Sequence, residues 1–314
     1  MVRIFHNTEI EIEKSMDITL LKQISREKLL WVDLQFASDE ERKTVESFFK
    51  IDFEEQQYNS SIESNSRFYE AESILYIQSN FITKQDSVFT SAPVTFFLLD
   101  ALLITYRDAD LSSFAETVKK MKRNRHAFKN GNDILECIFE TKVDIDGDFI
   151  EAIAKEISIV SHGLSLSTTN EEELLIKINS FQEYAILFRE NFIDKQRVVS
   201  SLLKSEPFKL DGRLKIVIKD INSMLDYTSF IFARLEYLQN TLLGMINMQQ
   251  NKTIKIFTIV SVVFMPPTLI ASVYGMNFTS MPELNWKFGY PLALLLIIAS
   301  SLFTLFIFKR KKWL

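Results

Sequence analysis

The chain has 314 residues, 47% apolar and 25% charged, with a formal net charge of −5. These averages hide a partition: Ile256 to Pro282 and Phe288 to Phe308 carry no Asp, Glu, Lys or Arg, and each run matches the roughly 20 apolar residues that cross a bilayer as helix. A simple cytosolic globule and a polytopic carrier are thereby excluded, and the acidic balance without a basic, aromatic-laced stripe excludes a nucleic-acid partner. Cys137 is the one cysteine, so neither an intrachain disulfide nor a cysteine-based zinc site is expected. His6, His126 and His162 stand singly and suggest no histidine metal site. The N-terminal MVRIFHNTEIEIEKS has no signal-peptide core, which leaves membrane insertion to the C-terminal runs.

Residues 1–131 alternate β-rich and helical segments. Residues 2–13, 29–36, 66–83 and 92–108 read as strands by their β-branched and aromatic content. Ser38-Asp39-Glu40-Glu41 is a capping box for a helix ending near Phe49, and Asp110, Ser112 and Ser113 offer caps for another through Lys122. With no glycine-rich phosphate loop, nucleophile elbow or His/Glu metal triplet, this α/β region reads as a scaffold or sensor, with neither enzyme activity nor an organic cofactor. Residues 132–206 read as an antiparallel helical pair, opened by Asn132-Asp133 and by Thr169-Asn170, with His162-Gly163 and the Ser/Thr run at 165–169 as its turn.

After Pro207, residues 208–254 carry an apolar seam through Leu214, Val217, Ile221, Met224, Ile231, Leu235, Leu238, Leu242 and Met245, with Thr228 in one slot. No breaker precedes Met265, so a stalk helix is expected from about Asp211 into the first uncharged run, about 95 Å long at 1.5 Å per residue. Its seam suggests a self-association surface.

The first span, 255–274, is followed by a connector, 275–287, and the second span, 288–308, by a basic tail, 309–314. Lys252 and Lys255 precede the first span and Lys309, Arg310, Lys311 and Lys312 follow the second, so both termini are expected in the cytosol and the connector outside. The tail also offers a ring of positive charge near an ion exit. In the first span Thr258, Ser261, Met265, Thr268 and Ser272 recur at intervals of three and four. Such a face meets protein or water in preference to lipid. One helix cannot enclose water, so a conduit needs several copies around an axis.

Tyr274-Gly275-Met276-Asn277-Phe278, Met281-Pro282-Glu283-Leu284, Trp286 and the terminal Phe308-Lys309-Arg310-Lys311-Lys312-Trp313-Leu314, with Gln250-Asn251-Lys252 and Phe264-Met265-Pro266-Pro267-Thr268-Leu269, resemble the CorA family of magnesium transport proteins, particularly its Gram-negative branch. The close match covers about 70 residues, and the order of elements fits over the full chain. The resemblance implies an α+β cytosolic domain with a mixed sheet, a long stalk helix and two C-terminal transmembrane helices, assembled as a funnel-shaped homopentamer in the inner membrane with the first span lining the pore. It puts Gly275, Met276 and Asn277 at the outer mouth, where Asn277 meets the hydrated ion. It further assigns Met265, Thr268, Phe257, Ile254 and Asn251 to the pore and its gate, alongside Ser261 from the stripe; Ile254 and Phe257 replace Met and Leu of some relatives. Cytosolic magnesium, bound between subunits by acidic residues, is implied to hold the closed state, with Asp100, Asp220 and Asp226 as candidates by type and region.

The chemistry agrees. Magnesium gives up its waters reluctantly, so neutral amide oxygens suit recognition of the hydrated ion better than carboxylates. Rings of Met265, Phe257 and Ile254 can close a pore by dewetting. The expected function is magnesium influx, with cobalt and nickel as secondary ions. The alternatives are a tethered cytosolic sensor without a pore and a zinc-transporting relative, which Met276 disfavours.

Overall fold

The structure, a computed structural model, describes residues 1–8, 11–53, 68–71, 74–86, 88–166, 170–205, 208, 210, 212–277, 281–282 and 286–311. The chain divides into two compact units, Met1–Gln239 and Asn240–Leu314.

The first unit is built on a seven-stranded sheet: β1 (Val2–Asn7), β2 (Ile12–Ser15), β3 (Leu29–Gln35), β4 (Phe68–Ala71), β5 (Ile74–Gln85), β6 (Val88–Leu99) and β7 (Leu102–Arg107). Their order is β2-β1-β3-β7-β6-β5-β4. Every pairing is antiparallel except β3 with β7, where Trp31 to Gln35 run beside Leu103 to Arg107. The central β3 is buried along its whole length, which requires an apolar run with any polar residue paired. Asp33 meets this condition by accepting from Thr105 Oγ1 at 2.8 Å and from Arg107 Nη2 at 3.0 Å.

Helices cover both faces. Helix α1 (Asp39–Phe49) opens with the expected capping box, Ser38 and Glu41 satisfying each other's backbone. Its Val45 and Phe49 pack with Val2, Ile4, Val32, Leu34 and Phe97. On the other face Trp31, Phe81, Phe96, Phe114 and Phe139 form an aromatic layer beneath α2 (Ser112–Arg123) and α3 (Gly131–Leu166). The start of α3 touches the β6–β7 hairpin so closely that a Cβ on Gly131 would lie 2.4 Å from the backbone nitrogen of Leu103. Glycine is required there because only it lacks that atom.

Two local expectations are corrected. The N-cap of α2 is Leu111, with no side-chain cap; Asp110 is turned instead toward Gln35, whose Nε2 donates to it at 3.1 Å. His162 and Gly163 are not a turn, for α3 runs through both to Leu166, and α4 (Glu171–Lys204) begins after the N-cap Asn170. One glycine costs a helix only about 1 kcal/mol, which the packing of a 36-residue helix outweighs. Thr169 and its two predecessors lie outside the described residues, as do Pro207 and Asp211.

The long helix, α5, spans Leu214–Tyr274 and contains Pro266 and Pro267 without a break. The self-association reading of its seam is also corrected within the first unit. Leu214, Val217, Ile221, Thr228, Ile231, Leu235 and Leu238 are buried by the chain itself, with α5 tied to α3 and α4 through Arg234 to Ser158, Gln182 to Gln239 and Gln196 to Asn222. The helix does not outrun its domain along this stretch, so its stripe is already covered. Along the same stretch Ile216, Phe230, Phe232 and Tyr237 stay exposed.

The second unit holds the rest of α5 and α6 (Gly289–Arg310). Both are long and apolar enough to cross a membrane. An apolar helix that stays exposed on a single chain has lipid or another copy as its natural surroundings.

Candidate functional site

The least exposed positions of α5 in its membrane-spanning part are Ile259, Val262, Val263, Pro266, Pro267, Ile270 and Tyr274, and those of α6 are Gly289, Ala293, Ile297, Ser300, Ser301, Thr304 and Phe308. Small residues on α6 permit close approach of helices. The weakly polar stripe of α5 lies elsewhere. Asn251, Ile254, Phe257, Ser261, Met265, Thr268 and Ser272 are all exposed, and at 100° per residue they occupy an arc of about 120° nearly opposite the sheltered face. Phe257 and Met265 are 69% and 66% exposed, so the described residues of one chain leave the positions suggested for the gate largely uncovered.

The stripe's threonines satisfy their own hydrogens. Thr258 Oγ1 donates to the carbonyl of Ile254 and Thr268 Oγ1 to that of Phe264, each at 2.8 Å. Their oxygens keep acceptor capacity toward the exposed side. Helix α5 stops at the Gly-Met-Asn triplet, where the Gly275 nitrogen donates to the Ala271 carbonyl at 2.9 Å and the Met276 nitrogen to that of Val273 at 3.3 Å. A Cβ on Gly275 would sit 3.1 Å from the Ala271 oxygen, so glycine eases this ending. Asn277 follows, exposed and outside any helix. The amide is thus presented at a span's end, not within it.

The connector residues 278–280 and 283–285 lie outside the described residues, among them Glu283 and Leu284. Trp286 and Phe288 meet edge to face at 5.8 Å, and with Tyr290 they give α6 an aromatic start of the kind that sits at a membrane interface. Lys309 and Arg310 close α6, where cations complement the helix C-terminus; Lys311 follows and Lys312 lies outside the described residues.

The three acidic candidates fall apart. Asp100 occupies the β6–β7 hairpin turn at φ 53°, Asp220 is half-buried on α5 and Asp226 is exposed on the same helix. Among the described residues no three His, Cys, Asp or Glu side chains converge on a metal position. Asp220 does have neighbours that sequence reasoning missed: burial raises Asp144 above the usual carboxylate range, opposed by Lys120 and reinforced by Glu140, Asp220 and Asp148. Glu140, Asp144 and Asp148 follow at i, i+4 and i+8 on α3, a pattern that marks one helix face. Their proximity to Asp220 required the fold.

These features define a membrane transport protein: a mixed α/β unit, a helix that runs from it into an uncharged span, and an exposed polar stripe ending at an amide. A family model described as "CorA-like Mg2+ transporter protein" matches residues 26–310. The magnesium transport protein CorA of Wolinella succinogenes is 35% identical over 100% of both chains, and that of Salmonella typhimurium is 33% identical over 98% of this chain and 96% of its own. The complete structure of the CorA magnesium transporter from Methanocaldococcus jannaschii superposes with a TM-score of 0.82 at 20% identity, covering 100% of this chain and 99% of that one. The chain belongs to the CorA-like Mg2+ transporter family. Its members are transporters and not enzymes.

Proposed function

We propose that this protein conducts magnesium into the cytosol down its electrochemical gradient, with cobalt and nickel as secondary ions of similar hydrated size. A homopentamer, funnel-shaped in its cytosolic part, surrounds the pore with five copies of α5 in the inner membrane; both termini are cytosolic. The observation that carries this reading is the exposed stripe from Asn251 to Thr268, turned away from the sheltered face of its own hairpin. A tether without a pore needs no such face.

The hydrated ion enters at a ring of Asn277 amides, held in place by Gly275 and Met276. Neutral oxygens bind it without stripping water and release it quickly. Thr268 and Ser261 offer further oxygens, and rings of Met265, Phe257 and Ile254 close by dewetting above Asn251. A doubly charged ion moving down a 100 mV potential gains about 4.6 kcal/mol, so no nucleotide hydrolysis is required. Lys309, Arg310, Lys311 and Lys312 set the topology and place positive charge at the cytosolic side. Cytosolic magnesium acts as feedback ligand at acidic residues brought together between subunits, with Asp100, Asp220 and Asp226 as candidates; screening of their repulsion favours the closed state.

The test is magnesium influx into proteoliposomes under an imposed negative potential, comparing the natural protein with Asn277→Ala. Influx should be strong in the natural protein and collapse in the variant, with oligomer size and thermal unfolding unchanged. Absence of influx in the natural protein, with internal magnesium removed, overturns the proposal in favour of a tethered sensor.

A further inference from the structure

Between Thr117 and Asn132 the chain carries Lys119, Lys120, Lys122, Arg123, Arg125 and Lys129 and no acid, in a protein of net charge −5. Part of this charge answers the C-terminal dipole of α2, but that dipole amounts to only about half a charge. Lys119 pairs with Glu116 at 2.9 Å, and Arg125 is engaged by the Asn7 side chain at 2.8 Å. Lys120 and Arg123 border a surface hollow of about 350 Å³, lined also by Asn124, Phe128, Glu140 and Arg213.

Three cations and one acid therefore converge on one small space. Phe128 is buried and forms its apolar wall, and the Arg213 guanidinium lies 5.4 Å from the centre of that ring, within the range of a cation–π contact. Lys120 is steadied by donating to Thr141 Oγ1 at 3.0 Å. Glu140, the acid among the described lining residues, stands 3.7 Å from Arg213, too far for a hydrogen bond. Arg123 is exposed, and among the described residues no hydrogen bond or ion pair engages its guanidinium. Two planar guanidinium groups, an ammonium and the Asn124 amide around an open-sided hollow suit an anion with several oxygens in different directions. Phosphate chains meet this demand, since guanidinium forks match phosphate oxygens two at a time. A single carboxylate does not.

We infer that the hollow between α2, α3 and the start of α5 binds the polyphosphate chain of a small cytosolic ligand, inorganic or nucleoside-linked, through Lys120, Arg123 and Arg213. Bound phosphates displace the loose Glu140–Arg213 contact and use Arg123, which otherwise acts on Glu116 only through space. The site belongs to the cytosolic unit and its occupancy does not depend on the transport reading.

The experiment is isothermal titration of the full-length protein in detergent with tripolyphosphate and, separately, with ATP, both in excess chelator so that no divalent ion masks the phosphates. Saturable binding of tripolyphosphate is expected, weakened about tenfold or more in Arg123→Gln, as loss of a charge-assisted hydrogen bond implies, and strengthened in Glu140→Gln. Equal affinity for ATP assigns recognition to the phosphates alone; tighter ATP binding adds a contact to the nucleoside. Both support the site. Absence of saturable binding up to several millimolar overturns it, as does binding that Arg123→Gln leaves unchanged. Lower oligomer stability in Arg123→Gln without any ligand binding also overturns it, since an acidic segment of a neighbouring subunit then fills the hollow. Arg123 is exposed, so its variant should fold, and a thermal melt verifies this.

Discussion

The two units handle charge in opposite ways. In the first, Lys142, Asp146 and Lys195 are all at most 2% exposed at their side chains, two cations around one anion. Lys142 Nζ contacts Asp146 Oδ1 and donates to the Ile82 carbonyl at 2.8 Å. Lys195 Nζ lies 3.5 Å from Asp146 Oδ2 and donates to the Asn80 carbonyl at 3.0 Å and to Asn191 Oδ1. The ring of Phe81 is 5.8 and 5.1 Å from the two ammonium groups. In the second unit, the sheltered faces of α5 and α6 hold no ionisable group but Tyr274, and exposed positions within the charge-free stretches 256–274 and 288–308 are apolar or hydroxylated. The difference follows from the surroundings. The core of the first unit satisfies a buried ammonium with carbonyls from a neighbouring strand, whereas a helix in a bilayer has used its carbonyls within itself and finds hydrocarbon beside its lipid-facing side.

The sharpest way to break this contrast is Asp146→Asn, which leaves two buried ammonium groups without a counter-charge. Destabilisation by about 3–5 kcal/mol is expected, read from chemical unfolding followed by circular dichroism; a change below about 0.5 kcal/mol would show that the three groups are not a charged unit. Next comes Ile298→Lys, in the middle of α6 and 59% exposed. There a lysine should cost about 2.5–3.5 kcal/mol in insertion, measured by glycosylation mapping. On α4, where Ile186 is 46% exposed, the same change should stay within about 0.5 kcal/mol.

Lys195 supplies a pH test. Burial, opposed by Asp146 and helped by Lys142, lowers its pKa from 10.5 to about 8. Between those values the unfolded chain holds a proton the folded one has released, so this group makes stability rise with pH, and its penalty is fully present below about 8. Lys195→Met should therefore be neutral or stabilising near pH 7, while the rise of the natural protein relative to the variant appears between pH 8 and 10.5 and amounts to a few kcal/mol at most, on the order set by the pKa difference. No divergence of the two curves in that window would overturn the assignment. The smallest effect belongs to the surface: Ser38→Ala removes one half of the capping box of α1 and should cost about 1 kcal/mol, seen as a lower thermal midpoint.

Much of this molecule was legible before any coordinates. Charge-free runs announced the spans, the capping box at Ser38 announced α1, and the stripe from Thr258 to Ser272 announced an unusual helix face, because each depends on residues close along the chain. Other features were not. The cap by Asp110 failed because Gln35, 75 residues away, offered a better partner. The turn at His162-Gly163 failed because a long packed helix tolerates one glycine. The seam of α5 was visible, but what covers it was not: helices α3 and α4 lie in front of it, and periodicity says only that something must. Lys142, Asp146 and Lys195 gave no signal at all, being ordinary surface types in an amphipathic pattern.

By itself the sequence determined where lipid-compatible helices lie, which of their faces is polar, and that an amide-bearing Gly-Met-Asn triplet ends the first of them. Tertiary structure alone decided that β3 pairs in parallel with β7, that two lysines share one buried aspartate, and that Asp144 stands beside Asp220. Hydrophobic period and helix termini are written in neighbours a few residues apart, whereas pairing of strands and burial of charge depend on groups that only the fold brings into contact.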